Sequence, residues 1–281
     1  FVEQEDGSGM VVFGTGGETF AGNLYITRLD DLLKNDLSQS KTIAYEESHG
    51  FIAPPAFADV TNDGIFDIIA TSHAGTISAI DGDNLNTIWQ YKIPNTESNT
   101  GIALGNFTDD DVPDIFTFMS KGKWPWNTVS YQIMLNGLTG ELEYIDSTGC
   151  PRILSPVVYD LNNDEIDEVV FSLDSFDCQG FTSWPPSDMV SKLVAINFKG
   201  KEIITIERKD KYKNVFTTPL LADIDNDGYL DIIHANYPHL EDVGILLFDG
   251  MSNKRISTPY KINKPIKWGA YMGSRGEGIY R

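Results

Sequence analysis

Asp223-Ile-Asp-Asn-Asp-Gly-Tyr-Leu-Asp231 is the stretch on which the reading of this chain turns. It follows one apolar run and precedes another, and its carboxylates fall at positions one, three, five and nine, on Asp223, Asp225, Asp227 and Asp231. Gly at position six allows a sharp turn with positive φ. The backbone carbonyl at position seven, on Tyr229, can then join the carboxylates in the oxygen shell that a hard cation such as calcium demands. Without a cation the loop repels itself, since two carboxylates about 4 Å apart cost roughly 4 kcal/mol at an effective dielectric near 20.

Three further stretches keep this spacing. Asp59-Val-Thr-Asn-Asp-Gly-Ile-Phe-Asp67 offers Asp59, Thr61, Asp63, the carbonyl of Ile65, and Asp67, with a hydroxyl in place of the third-position carboxylate. Asn106-Phe-Thr-Asp-Asp-Asp-Val-Pro-Asp114 offers Asn106, Thr108, Asp110, the carbonyl of Val112, and Asp114. Asp111 stands there in the Gly position and is expected to take a left-handed backbone, which predicts a weaker site. Asp160-Leu-Asn-Asn-Asp-Glu-Ile-Asp-Glu168 offers Asp160, Asn162, Asp164, the carbonyl of Ile166, and Glu168; with Glu165 for Gly and Glu at its end it is the least regular copy. One such loop alone reads equally well as a solvated turn between strands. Four in one register favour up to four calcium ions, with the sites at Asp59 and Asp223 the most complete.

The chain has 281 residues and a formal charge of -20. That balance argues against nucleic acid and against anionic membrane surfaces, both of which call for a basic face. Four calcium ions would bring the charge to about -12, so the loops account for part of the acidity. No apolar run approaches the roughly 18 residues of a membrane span. The chain starts at Phe1, which leaves processed, excised and incomplete forms all open. Its two cysteines, Cys150 and Cys178, lack metal-ligand spacing and read either as separate buried thiols or as a disulfide. Loops of this type suit millimolar extracellular calcium, an oxidising setting, so the expectation is a disulfide and a secreted or cell-surface protein.

Each acidic loop belongs to a longer unit of four short strands. In the first unit the strands fall at 55–58, 67–70, 76–80 and 87–93; in the second at 102–105, 115–119, 131–135 and 142–145. The third has 156–159, 168–172, 193–197 and 202–206, and the fourth 219–222, 231–235, 244–248 and 254–258. Helical periodicity is confined to 29–33. Four-stranded antiparallel units of this length predict an all-β chain with the blades of a β-propeller, because one blade cannot bury its own faces and a ring can. Residues 10–15, 24–27 and 42–45 read as the last three strands of a blade whose first strand is supplied by 268–274. The expected organisation is a single propeller domain over 1–281. Its blades are 1–46 plus 265–281, 51–93, 100–146, 153–208 and 215–262: five in a ring closed by both termini, or part of a larger ring of seven or eight.

Phe57-Ala-Asp-Val-Thr-Asn-Asp-Gly-Ile-Phe-Asp-Ile-Ile69 and Leu221-Ala-Asp-Ile-Asp-Asn-Asp-Gly-Tyr-Leu-Asp-Ile-Ile233 resemble the FG-GAP or VCBS type of repeat propeller, seen in integrin α-subunit heads and many secreted bacterial proteins. Ile77-Ser-Ala-Ile-Asp-Gly-Asp-Asn-Leu-Asn-Thr-Ile-Trp89 is similar to the strand-turn-strand of quinoprotein-like propeller repeats. The resemblance implies that the acidic loops hold calcium and stiffen one face of the ring. It says little of function, since propellers host lyases, dehydrogenases, lectins and adhesion heads.

In a four-stranded meander the loops alternate between two ends of the sheet. The acidic loops therefore share an end with the turns between third and fourth strands, and the other loops and links gather opposite. There lie His49, His73, Trp124, Trp126, Cys150, Cys178, Trp184, Tyr237 and His239. Singly, such residues cap strands or fill gaps between blades. Together, His73, Trp124, Trp126, Trp184, Tyr237 and His239 suggest a surface for a glycan or protein partner, because exposed aromatic rings give flat apolar platforms. A nucleophile motif, a phosphate loop and a zinc spacing are all missing, so a non-catalytic binding or adhesion module is the main expectation. A polysaccharide lyase or other glycan-active enzyme, and a quinoprotein dehydrogenase using Lys121, Lys123, His73, Arg152 or Tyr237, are the alternatives.

Overall fold

The computed structural model of the protein describes residues 2–3, 8–124, 126–150, 154–175, 190–209, 217–236 and 252–281. Among these described residues the regular structure is β, in antiparallel sheets of three to five strands, apart from one short helix, α1 (Leu29–Leu33). The first sheet runs β1 (Val2–Glu3), β2 (Gly9–Gly14), β3 (Gly22–Arg28) and β4 (Lys41–Glu46). The second runs β5 (Ala56–Ala58), β6 (Asp67–Thr71), β7 (Thr76–Ile80) and β8 (Thr87–Lys92). In the third, β9 (Thr96–Glu97) pairs with β11 beside the path β10 (Ala103–Gly105), β11 (Asp114–Lys121), β12 (Val129–Leu135) and β13 (Leu142–Asp146). The fourth is β14 (Val157–Tyr159), β15 (Glu168–Ser175), β16 (Val190–Asn197) and β17 (Glu202–Lys209). The fifth is β18 (Leu220–Ala222), β19 (Tyr229–Asn236) and β20 (Ser252–Lys261).

Burial explains the apolar runs. Every residue of β6 is buried, as is all of β11 but its last, whereas β8 and β13 are largely exposed. A strand covered on both faces reads as a continuous apolar run, such as Ile68-Ile69-Ala70, and an outer strand does not. Between third and fourth strands the register slips at one place in each of the first four sheets, at Leu24/Tyr25, Ala79/Ile80, Met134/Leu135 and Leu193/Val194. Such a bulge strengthens the local twist of the outer edge.

Consecutive sheets pack face to face. One core cluster joins Val12, Leu24 and Ile26 of the first sheet to Ile68 and Ile80 of the second, and another joins Val157 and Leu193 of the fourth to Leu230 and Ile232 of the fifth. The largest spans the second, third and fourth sheets, where Phe118 meets Phe116 and Phe171 at centroid distances of 5.3 and 5.0 Å. Trp89 ties the second sheet to the third by donating its indole N–H to Gly137 O at 2.8 Å. Among the described residues no core cluster joins the first sheet to the fifth.

Two placements differ from the sequence expectation. Residues 268–274 were expected to complete the first sheet, but Val2–Glu3 pairs with β2 there. The carboxy-terminal segment instead serves the short first strands of other sheets: Val158 N–H donates to Trp268 O at 2.8 Å, Leu221 N–H to Gly269 O at 2.7 Å, and Phe57 N–H to Gly278 O at 2.7 Å. Backbone donors on a sheet edge need partners once buried, and this segment supplies them. In the fifth sheet β20 pairs directly with β19, the place expected for 244–248, which lie outside the described residues.

Candidate functional site

Three of the four acidic loops fold alike. In each, the first-position carboxylate spreads its two oxygens over the N–H groups of positions five and six: Asp59 to Asp63 and Gly64 at 3.1 and 2.9 Å, Asp160 to Asp164 and Glu165 at 3.1 and 3.1 Å, Asp223 to Asp227 and Gly228 at 3.1 and 3.0 Å. Position four is an Asn with positive φ in all three, at Asn62, Asn163 and Asn226. Glu165 adopts φ of 76°, so this loop keeps the turn of the Gly-containing ones with Glu in the Gly position. The departure is 106–114, where Asp111 stays out of the left-handed region that the sequence reading assigned to it. One cause is at hand: Asn106 has one acceptor oxygen where Asp has two, so it cannot take both the N–H groups that the Asp copies take. Asn106 turns its amide to the neighbouring loop, donating to Glu165 O at 3.1 Å.

The ninth-position carboxylates, Asp67, Asp114, Glu168 and Asp231, are buried and each links its loop to the outer half of its sheet. One oxygen accepts the N–H of position two, on Val60, Phe107, Leu161 and Ile224, at 2.7 to 3.0 Å. The other reaches toward the third strand and the turn after it: Gly82 N–H at 2.9 Å, Gly137 N–H at 3.0 Å, Asn197 Nδ2 at 2.8 Å and Arg255 Nε at 2.8 Å. A Cβ on Gly82 would lie 2.1 Å from Phe66 O, and one on Gly137 2.0 Å from Pro113 O, so only Gly brings these N–H groups within reach. Where Phe198 replaces that Gly, the carboxylate is one methylene longer and takes the Asn197 side chain instead.

The cationic surroundings of the loops differ. At 223–231 the carboxylates of Asp223, Asp225 and Asp227 lie within 4.8 Å of one another, a spacing that suits a cation. Arg255 bridges Asp225 and Asp231 there. Burial alone would raise the Asp231 carboxyl, but hydrogen bonds from Arg255, the Ile224 N–H and Ser257 outweigh it and hold the group below its usual range. At 160–168, Lys264 Nζ lies 3.3 Å from Asp160 and 2.8 Å from Asp167. Burial works against that ammonium, yet the two carboxylates keep it above its ordinary range. Around Asp67, Asp114 and Glu168 burial dominates and pushes the carboxyls up, to about 6 at Asp114 and about 7 at Glu168.

The eight residues of β11 separate the acidic loop at its start from the Trp loop at its end by roughly 25 Å. At that far end Trp124 is 44% exposed and Trp126 76% exposed. His73 is buried in the turn between β6 and β7, and its ring lies 5.3 Å from that of His49. Burial and the neighbouring His73 push the His49 imidazole below its usual range. Cys150 is buried; Cys178, Trp184, Tyr237 and His239 lie outside the described residues.

No family model matches the chain, and no curated protein sequence does. Among solved structures, a europium-containing methanol dehydrogenase aligns at 10% identity with a TM-score of 0.49, over 81% of this chain and 46% of that one. BamB from Moraxella catarrhalis aligns at 15% identity with a TM-score of 0.39, over 84% of this chain and 69% of that one. A Synechocystis apocarotenoid oxygenase mutant aligns at 14% identity with a TM-score of 0.37, over 68% of this chain and 43% of that one. The chain thus spans less than half the length of the first of these. The FG-GAP or VCBS resemblance remains one carried by the chain's own residues.

Sequence reasoning missed two groupings. Glu97, a lone acid in a link, comes to lie between His49 and His73. On the acidic-loop side a cavity of about 260 Å³ is lined by Asn106, Asp111, Asp167, Lys264, Trp268 and Tyr280. Tyr280 faces Asp167 there, and burial followed by that carboxylate raises its phenol well above the usual range. Neither grouping has a sequence spacing, because each draws on three or more separate segments.

Proposed function

We propose that the chain is a calcium-stiffened β-propeller of the FG-GAP or VCBS type that acts as a non-catalytic binding module, secreted or displayed at a cell surface. Its partner, a glycan or a protein, docks on the end of the sheets opposite the acidic loops. The observation that carries this reading is the exposure of Trp124 and Trp126 together on one loop, at the far end of strands whose other end is stapled by buried carboxylates. Exposed indoles on a rigid frame stack on sugar rings or seat a partner's apolar side chain at small entropic cost. Calcium would be held by the loops at 59–67, 106–114, 160–168 and 223–231, up to four ions in all. Support comes from the shared cage-like backbone of three of these loops and from the convergence of Asp223, Asp225 and Asp227. A disulfide from Cys150 to Cys178 would pin the loop that carries Trp184 and fits an extracellular setting.

Binding screens against glycan and protein libraries, with Trp124→Ala and Trp126→Ala as controls, test the reading. Capture of a glycan or protein that both variants lose, with no turnover, supports it. Unsaturated sugar products released from a polysaccharide would replace it with a lyase, and a quinone absorbance in the purified protein would replace it with a dehydrogenase.

A further inference from the structure

Three side chains that the acidic loops do not involve converge at the opposite end of the second and third sheets. His49 is carried by the link from β4 to β5, His73 by the turn from β6 to β7, and Glu97 by β9, which pairs with the end of β11. One ligand atom from each lies within 4.8 Å of the others. His73 Nε2 is 3.8 Å from Glu97 Oε2, and His49 Nε2 is 3.9 Å from Glu97 Oε1.

These separations are too long for hydrogen bonds, and a simple charged pair would close to about 2.7–2.9 Å. They are close to the roughly 3.4 Å that separates neighbouring donors in a tetrahedron with metal–ligand bonds near 2.0–2.1 Å. The two distances are to different Glu97 oxygens, and with one atom from each residue within 4.8 Å of the others, a closure of at most about 1.4 Å would complete the geometry.

The backbone locks the three carriers together. His73 N–H donates to Gly50 O at 2.8 Å, next to His49, and Ser98 N–H, next to Glu97, donates to His73 O at 3.1 Å. Gly75 lets the turn approach β9 closely, since a Cβ there would lie 2.2 Å from Thr96 Oγ1. Supporting contacts fix the outer ligands: Ser48 Oγ lies 2.6 Å from His49 Nδ1, and Trp124 N–H donates to Glu97 Oε2 at 2.8 Å. Such contacts leave His49 Nε2 and one Glu97 oxygen directed at the shared space.

His73 is 1% exposed, and its Nδ1 has no hydrogen-bond partner. That burial keeps bulk water from competing for Nε2, the nitrogen that faces the Glu97 carboxylate at 3.8 Å.

We propose that His49, His73 and Glu97 form a binding site for a divalent transition-metal ion of the zinc type, distinct in place and donor chemistry from the acidic loops. Two imidazole nitrogens and one carboxylate suit zinc and disfavour calcium, which takes oxygen donors. Three protein ligands leave a fourth position for water or a donor from a docked partner. The inference does not depend on the binding-module reading.

The test uses the full chain, stripped with EDTA, desalted, and supplied with millimolar calcium so that the acidic loops are filled. It is then titrated with zinc by calorimetry and with cobalt(II) by visible absorbance. The expected result is one tight zinc per chain and cobalt bands of a nitrogen–oxygen tetrahedral site. His49→Gln and Glu97→Gln should each weaken zinc by more than the roughly 10–100-fold that loss of a supporting residue costs, while Asp225→Ala leaves it unchanged. Absence of a tight zinc, or equal zinc binding by the His49→Gln variant, overturns the proposal. His49 lies at the rim, 17% exposed, so its substitution is expected to leave the fold intact, as a melting curve checks.

Discussion

The loops at 59–67 and 223–231 share five of nine residues and nearly the same backbone, yet have different electrostatic surroundings. Position one accepts from positions five and six in both, and position five accepts the N–H of position seven at 2.8 Å in one and 2.9 Å in the other. The turn is therefore written into nine residues. The ninth carboxylate is not. Asp67 takes its outer hydrogen bond from Gly82, a neutral N–H, and burial raises its carboxyl. Asp231 takes it from Arg255, and the net effect is a lowered carboxyl. A motif thus sets the shape of an acidic loop, and a residue from another strand decides whether a charge already sits against it.

Calcium removal is the most demanding test of that contrast. At a hundredfold excess over Kd each filled loop contributes about 2.7 kcal/mol. Chelation with EDTA should then lower Tm by on the order of 10 °C for the two most complete loops together, and calcium should restore it. Identical melting with and without EDTA removes the calcium reading for both loops. Within that shift, Asp225→Ala should take away more of the calcium dependence than Asp110→Ala, since 106–114 lacks the shared backbone. Next in size is Gly82→Ala, whose Cβ would meet Phe66 O at 2.1 Å. It should destabilise the chain by about 1–3 kcal/mol, read as a lower urea midpoint at unchanged slope; a neutral result would mean that the Asp67 staple does not hold the turn. The smallest effect concerns Arg255, which competes with a cation for Asp225 and Asp231. Arg255→Gln should tighten calcium at 223–231 by roughly tenfold, within the usual range of coupling between two ligands of one site, and calorimetry on the variant measures it.

Much of the fold was legible because strand signals are local. The turn between third and fourth strands announces itself as Asp81-Gly82 and Asn136-Gly137, and α1 falls at 29–33 as its pattern suggests. The carboxy-terminal segment was misplaced because it pairs with strands from three sheets, and long-range pairing leaves no periodic mark. The backbone at Glu165 and Asp111 was hard to foresee for a related reason. Residue type at the Gly position was weighed, whereas the first-position carboxylate, which accepts both N–H groups in the three matching loops, governed the turn. On the opposite end of the sheets, His73 and the two Trp were picked out as parts of one surface, and Glu97 was passed over, since nothing in its neighbourhood distinguishes it.

By itself the sequence determined the all-β character, the repeated strand order and the shape of the acidic loops, because each depends on side chains within about a dozen residues of one another. Tertiary structure alone decided that Arg255 and Lys264 stand against two of those loops, that 266–281 serves the inner strands, and that His49, His73 and Glu97 share one space. The physical reason is that charge, burial and ligand geometry act over a few ångströms of space, whatever the distance along the chain.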